Sequence, residues 1–273
     1  MIPVKSFFYN NNSFRQTKNY PVMKKIVITT LFFCFLFGQS ISAQTDFRFG
    51  FQVSPTFSWM RTNDNAIRSN GTNLGVKIGM LGELFFAENY ALVSGIGLAF
   101  NQGGTLKHDQ GGNFWANSDL SDQQYFTLPN DINLKYSIQY VEIPLSLRMR
   151  TREFGYLRYF AEIPVFTFGL ETQSRGATKG FPGGDTEKEN INQDVNFLAL
   201  SWGFGGGVEY SLSSTSSLMG GIFYQNGFLD VTRDKNARKF DTLPDGTPDE
   251  NSAEDEDSNG LIGAITLRIA LMF

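Results

Sequence analysis

The chain has 273 residues, enough to bury one large core or to close one barrel, and 15% of them are aromatic, including 27 phenylalanines. Charged residues make up 18% and mean hydropathy is slightly negative, a balance that fits neither a disordered chain nor a bundle of membrane helices. The formal net charge of −4 argues against nucleic acid as a partner.

In chain order, Met1 to Val22 carries no hydrophobic pattern and stands upstream of a complete export signal, so residues 1–22 read as a misassigned start before Met23. Residues 23–43 read as a cleaved secretory signal peptide: the cationic Met23-Lys24-Lys25, an apolar run from Ile26 to Phe37, and the small polar exit Gln39-Ser40-Ile41-Ser42-Ala43. The run is shorter than the roughly 20 apolar residues of a spanning helix. Residues 1–43 hold five of the 23 bases and no acid, so the expected mature chain from Gln44 has 23 − 5 = 18 bases against 27 acids, a net charge of −9. Cys34, the only cysteine, falls inside the signal, and Phe33 before it is too large for a lipidation site. The mature chain is expected to have no thiol chemistry.

From residue 47 onward, apolar residues recur with period two. Phe47, Phe49, Phe51, Val53, Phe57 and Trp59 share one parity, and Arg48, Gly50, Gln52, Ser54, Thr56 and Ser58 the other. Further strands are predicted at Leu74 to Phe86, Tyr90 to Phe100, Tyr136 to Met149, Tyr156 to Leu170, Asn196 to Tyr210, Leu218 to Gly227 and, closing the set, Leu261 to Phe273. Tyr136 to Gln139 fits its strand's parity poorly, which suggests a bulge, and both faces of Tyr156 to Leu170 carry bulk. Connections alternate between long (about 61–73, 101–135, 171–195, 228–260) and short. Such alternation is expected when an outer-membrane barrel sends its long loops outside the cell and its turns and both termini into the periplasm.

The predicted fold is therefore all-β: an eight-stranded antiparallel transmembrane up-and-down barrel over residues 44–273. A soluble lipocalin-like barrel would turn its large apolar residues inward, whereas the second parity here carries Gly, Ser, Thr and charge, so the apolar exterior calls for lipid. Trp59, Tyr90, Tyr140, Trp202 and Tyr210 fall near strand ends, where interfacial girdles belong. Gly203-Phe204-Gly205-Gly206-Gly207 lacks the last glycine of a dinucleotide fingerprint and reads as barrel curvature.

Arg48, Lys77, Glu83, Glu142, Arg148, Arg158, Glu162, Glu209 and Arg268 share the inward parity and are expected to neutralise one another in a lumen nearly filled by side chains. No catalytic or cofactor-binding residue is expected. His108, the only histidine, reads as a solvated loop residue beside Asp109. Asp255, Asp257 and Asn259 open a calcium-loop pattern, but position twelve of that pattern is Thr266 and lacks the bidentate acid. They remain weak metal candidates in the segment Asp241 to Asp257, which holds eight acids and no base and reads as a solvated, mobile extracellular loop.

Leu261 to Phe273 alternates to its final phenylalanine and resembles the C-terminal signal read by the outer-membrane assembly machinery, which implies delivery through the periplasm with Phe273 as the assembly signal. Tyr140-Val141-Glu142-Ile143-Pro144-Leu145 resembles the signature of PorT-like outer-membrane barrels of Bacteroidetes, and Gly206-Gly207-Val208-Glu209-Tyr210 and Tyr224-Gln225-Asn226-Gly227-Phe228 are similar to that family's later strands. The resemblance implies an outer-membrane barrel in contact with lipid and lipopolysaccharide. The leading expectation is a plugged structural or interaction barrel with an extracellular protein partner and no enzymatic activity. A narrow porin-like channel and an accessory of type IX secretion are the alternatives, and a lipid A-modifying enzyme ranks below both.

Overall fold

A computed structural model describes residues 46–243 and 248–273; the upstream segment 1–22, the signal peptide 23–43 and Cys34 lie outside the described residues. Eight long strands run up and down: β1 (Phe47–Arg61), β2 (Ile67–Ala87), β3 (Tyr90–His108), β4 (Ile132–Arg150), β5 (Leu157–Lys179), β6 (Leu198–Ser211), β7 (Ser217–Gly227) and β8 (Leu261–Met272). Each pairs antiparallel with its neighbours in sequence and β8 returns to β1, so the ring closes without a free edge. Among the described residues no helix is long and apolar enough to cross a membrane.

Alternation explains the lower part of the ring, next to the short turns. Along β1, Phe47, Phe49, Phe51, Val53 and Phe57 are exposed, while Gly50, Gln52, Ser54, Thr56 and Ser58 face in. Phe47 is 64% exposed and Ile222, two strands away on β7, is 61% exposed. A belt of this kind is far larger than the apolar patches that water-soluble proteins leave bare, and it matches the lipid-facing band of a membrane barrel. Aromatic residues gather at its short-turn rim, where Phe49 packs on Phe273 and Tyr156 on Tyr210. Gly203 and Gly207 allow β6 to press onto β7, because a Cβ there would collide with the carbonyl oxygens of Tyr224 and Gly220.

Four strands overshoot the belt. Crossing a bilayer takes about 9–11 tilted residues, yet β2, β3, β4 and β5 have 21, 19, 19 and 23 residues against 14, 11 and 12 for β6, β7 and β8. Their upper halves form a crown on one side of the ring. The expected loops at 61–73, 101–135 and 171–195 are correspondingly shorter, since residues 67–73, 101–108, 132–135 and 171–179 continue the strands.

In the crown the two faces exchange polarity. Ile132, Leu134, Tyr136 and Ile138 point inward and are buried, where lower down β4 places Glu142, Ser146 and Arg148. The outer face of the crown carries Asn133, Lys135, Arg175 and Lys179. The poor parity of Tyr136 to Gln139 is thus a change of solvent. A bulge does occur beside it, but the extra residues sit on the neighbours: β3 gains one between Ala99 and Gln102, and β5 gains Thr172.

The long connections fold into the crown as a cap. Gly112–Asn113, Arg238–Thr242 and Pro248–Asp255 form a three-stranded sheet. Beneath it Phe114, Trp115, Leu128, Ile191, Val195 and Val231 join the inward residues of the crown in one apolar core. The segment Asp241 to Asp257 therefore differs from the solvated loop expected of its acids: residues 241–242 and 248–255 lie in paired strands and Glu256 is buried. Apolar residues that looked scattered through loops supply the core that fixes them.

Candidate functional site

The lumen is crossed by two layers of charge. Arg148 on β4 pairs with Glu83 on β2 and Glu162 on β5, and all three side chains are at most 1% exposed. Its Nε donates to Glu162 at 2.8 Å, Ser146 donates to the same carboxylate at 2.8 Å, and Arg268 Nη1 from β8 reaches it at 2.9 Å. Nearer the short turns Arg48 contacts Glu209 at 2.8 Å and Glu83 at 3.8 Å, while Ser217 donates to Glu209 at 2.7 Å. Antiparallel register creates these meetings, setting Arg48 opposite Glu83 and Arg148 opposite Glu162 on adjacent strands. The second layer is a bar across the ring: Lys77 meets Glu142 at 2.9 Å and Gln225 at 3.0 Å, and Gln225 donates to Thr167 at 2.6 Å.

Eight of the nine charges singled out by parity thus fall in these two layers. Arg158 does not; it pairs with Glu153 at 2.7 Å at the short-turn rim. Arg150 was missed. It shares the parity of Arg148 and stacks 3.9 Å over the Phe85 ring, but the sequence pattern puts it in the turn. The lumen also holds aromatic and aliphatic bulk absent from its expected lining of Gly, Ser, Thr and charge: Arg268 lies 3.7 Å over Phe223, and Leu81, Val93, Phe160, Met219 and Met272 complete the packing. Phe160 accounts for the bulk on both faces of β5.

Little space remains. Cavities of about 50 Å³ on the crown side and about 30 Å³ on the turn side flank the Lys77–Glu142 bar. Below the Arg48–Glu209 pair the short-turn end opens into a vestibule of about 770 Å³ lined by Arg150, Glu153, Arg158 and the serine-rich turn 212–217.

The crown is a second packed layer, and carboxylates tie its segments together. Asp194 accepts from the Asn117 amide at 3.1 Å, from Asn117 Nδ2 at 2.8 Å and from Ser118 Oγ. Glu189 accepts from the Ser121 amide at 2.8 Å, and Lys239 clips the cap to Asp64 at 2.6 Å, holding that carboxyl below its ordinary value. His108 is the principal correction to the sequence reading. It is 4% exposed, its ring lies 4.0 Å from that of Phe114, and neither ring nitrogen has a hydrogen-bond partner. The bulge after Ala99 turns the even positions of β3 inward, which carries His108 into the core, and burial pushes its imidazole down to about 3.

The weak metal candidates are not brought together. Asp255, Asp257 and Asn259 face outward, while their neighbours Glu256 and Ser258 turn in. Among the described residues no group of three or more His, Cys, Asp or Glu side chains is placed to hold a metal.

A family model described as outer membrane protein beta-barrel domain matches residues 37–233. No curated protein matches the chain. Among solved structures, Neisserial surface protein A aligns over 82% of this chain and 95% of its own at 9% identity and a TM-score of 0.37. The attachment invasion locus protein Ail of Yersinia pestis aligns over 83% and 98% at 8% identity and a TM-score of 0.34. The outer membrane protease OmpT of Escherichia coli aligns over 85% and 97% at 8% identity and a TM-score of 0.38.

Proposed function

The chain belongs to the outer membrane protein beta-barrel domain family and is an outer-membrane protein, and from that premise we propose that it is a sealed barrel whose folded cap serves as an interaction surface outside the cell. The observation that carries this reading is the double closure, an ion-pair layer in the belt and an apolar core in the crown, with cavities of only about 50 and 30 Å³ between them. A conducting pore needs a continuous water column, and each of these spaces holds only one or a few waters. The closed strands insulate the backbone from lipid, and the cap presents ordered surface to lipopolysaccharide and protein partners. In this orientation the short turns, the vestibule and Phe273 face the periplasm.

The reading is non-enzymatic. A histidine acting as general base needs a partner that fixes its tautomer and a nucleophile within reach, and both nitrogens of His108 are unpartnered inside the cap. The residues of the PorT-like resemblance, Tyr140 to Leu145 and Gly206 to Tyr210, build the belt wall and its charge bar, so they support membership of a barrel subgroup more than a role in secretion. Planar-bilayer recording of the purified protein tests the seal. We expect no steady single-channel openings for the native chain and openings for Lys77→Ala/Arg148→Ala; steady openings of the native protein overturn it.

A further inference from the structure

The outer wall of the crown gathers positive charge that its own acids do not cancel. Lys135 on β4 stands opposite Ala177 of β5, so Arg175 and Lys179, two residues to either side of Ala177, are its diagonal neighbours at about 7–8 Å. On the other flank Lys107 of β3 stands opposite Asn133 and is a third diagonal neighbour of Lys135. All four side chains point out of the barrel, since the residues that alternate with them, Leu106, Leu134, Gly176 and Thr178, are buried. Asp131 meets Lys107 at 2.8 Å, and Arg68, further along the wall, is matched by Asp109 at 2.6 Å. Asp185 and the exposed Glu187 follow at the upper edge, where Asp185 accepts from the Gly180 amide at 2.8 Å. Among the described residues no carboxylate lies within ion-pair distance of Lys135, Arg175 or Lys179. Arg175 instead donates to the Lys188 carbonyl at 3.3 Å, which brings a further cation alongside. Like charges on neighbouring strands repel, so a cluster of this kind in a chain of net charge −4 calls for an anion from outside the molecule.

The same three strands carry bare apolar side chains below the cluster. Leu98, Ile143 and Phe168 are exposed on the belt, and the register sets Leu98 beside Val141 and Ile143 beside Phe168. Lys135 stands six residues beyond Val141, the last apolar residue on the outer face of β4. That is about 20 Å along the strand and about 15 Å along the axis of a barrel with strands tilted by about 40°. The headgroup layer adds only about 5–8 Å to each side of a bilayer's hydrocarbon core, so the phosphate of a phospholipid lies below the cluster. A ligand that touches both surfaces needs acyl chains beneath and several negative charges on a headgroup taller than a phosphodiester. We propose that the wall formed by Lys107, Lys135, Arg175 and Lys179 docks the phosphorylated sugar core of lipopolysaccharide, with the acyl chains of the same molecule lying along β3 to β5. This rests on the reading that places the crown outside the cell. A lipid held there neutralises the cluster from the side and leaves the cap free for a protein partner.

Titration of the full-length barrel in zwitterionic detergent tests the site, with three fluorescent probes: rough-type lipopolysaccharide carrying a phosphorylated core, lipid A alone, and phosphatidylglycerol. The native protein should bind the first most tightly and release it as salt rises. Lys135→Gln/Arg175→Gln/Lys179→Gln should bind it roughly 100-fold more weakly, while Lys135→Arg/Lys179→Arg keeps native affinity. Heat-modifiable migration checks that each variant barrel is closed. A loss smaller than about tenfold in the triple variant, or lipid A or phosphatidylglycerol bound as tightly as the complete lipopolysaccharide, overturns the proposal. The placement of the crown is read separately, by labelling Asp119→Cys on intact cells with an impermeant maleimide. Absence of labelling would overturn that placement and docking in the cell with it, whereas failure of the titration alone overturns only the docking site.

Discussion

The belt and the crown are built from the same strands and obey opposite rules. In the belt, lipid outside permits Phe49 and Ile222 to stand bare, and the interior can hold Arg148 and Glu162 because each finds its counter-charge. In the crown, water outside selects Lys135 and Arg175, and the interior becomes the apolar site where Trp115 meets Tyr136 edge to face at 6.0 Å. The barrel wall is continuous across the boundary. The medium it faces changes, and the inward residue type changes with it, so the two halves should fail in different ways.

The largest expected effect is on the belt. Arg148→Ala removes the guanidinium shared by the buried Glu83 and Glu162, leaving Glu83 only the more distant Arg48 and Glu162 only Arg268 and Ser146, a loss of about 3–5 kcal/mol for a broken buried pair. Heat-modifiable migration on gels should shift to lower temperature. An unchanged transition would mean that water reaches the lumen and that the charge layer is no seal.

Trp115→Ala should cost a comparable or smaller amount, about 3 kcal/mol for a large buried aromatic, and its cost should fall on the crown alone. Limited proteolysis should cut the cap within 109–131 while the belt keeps its heat-modifiable migration. If both properties failed together, the two halves would be one cooperative unit and the comparison would break.

What could be read in advance follows the same boundary. Strands of the belt were legible because lipid enforces a uniform exterior, so parity alone placed Arg48, Glu83, Glu142 and Arg268. It could not place the crown. Each extra residue reverses the facing of everything after it in its strand, and the one after Ala99 turned His108 from an expected loop residue into a buried one. The inversion of polarity at Ile138 looked like irregularity because the pattern assumed a single solvent. Glu256 was hidden among eight acids whose composition reads as solvated, and only the pairing of Arg238 with Asp255 shows which of them turn inward. Arg150 was a smaller loss of the same kind, since parity pointed inward and only the assumed strand end excluded it.

The smallest effect tests where the belt's charge layer ends. Arg158 shares the inward parity, which put it among the lumen charges expected to neutralise one another, and the strand register sets it opposite Glu209. The side chain instead reaches Glu153 in the β4–β5 turn, with both partners about a third exposed. Glu209 is already satisfied by Arg48 and Ser217. An ion pair in that setting contributes about 0–1 kcal/mol, so Arg158→Ala should leave the unfolding transition within roughly 0.5 kcal/mol of the native value and should be less sensitive to salt than the native pair. A loss of several kcal/mol would place Arg158 inside the network after all, and the vestibule would then begin one residue layer further toward the short turns.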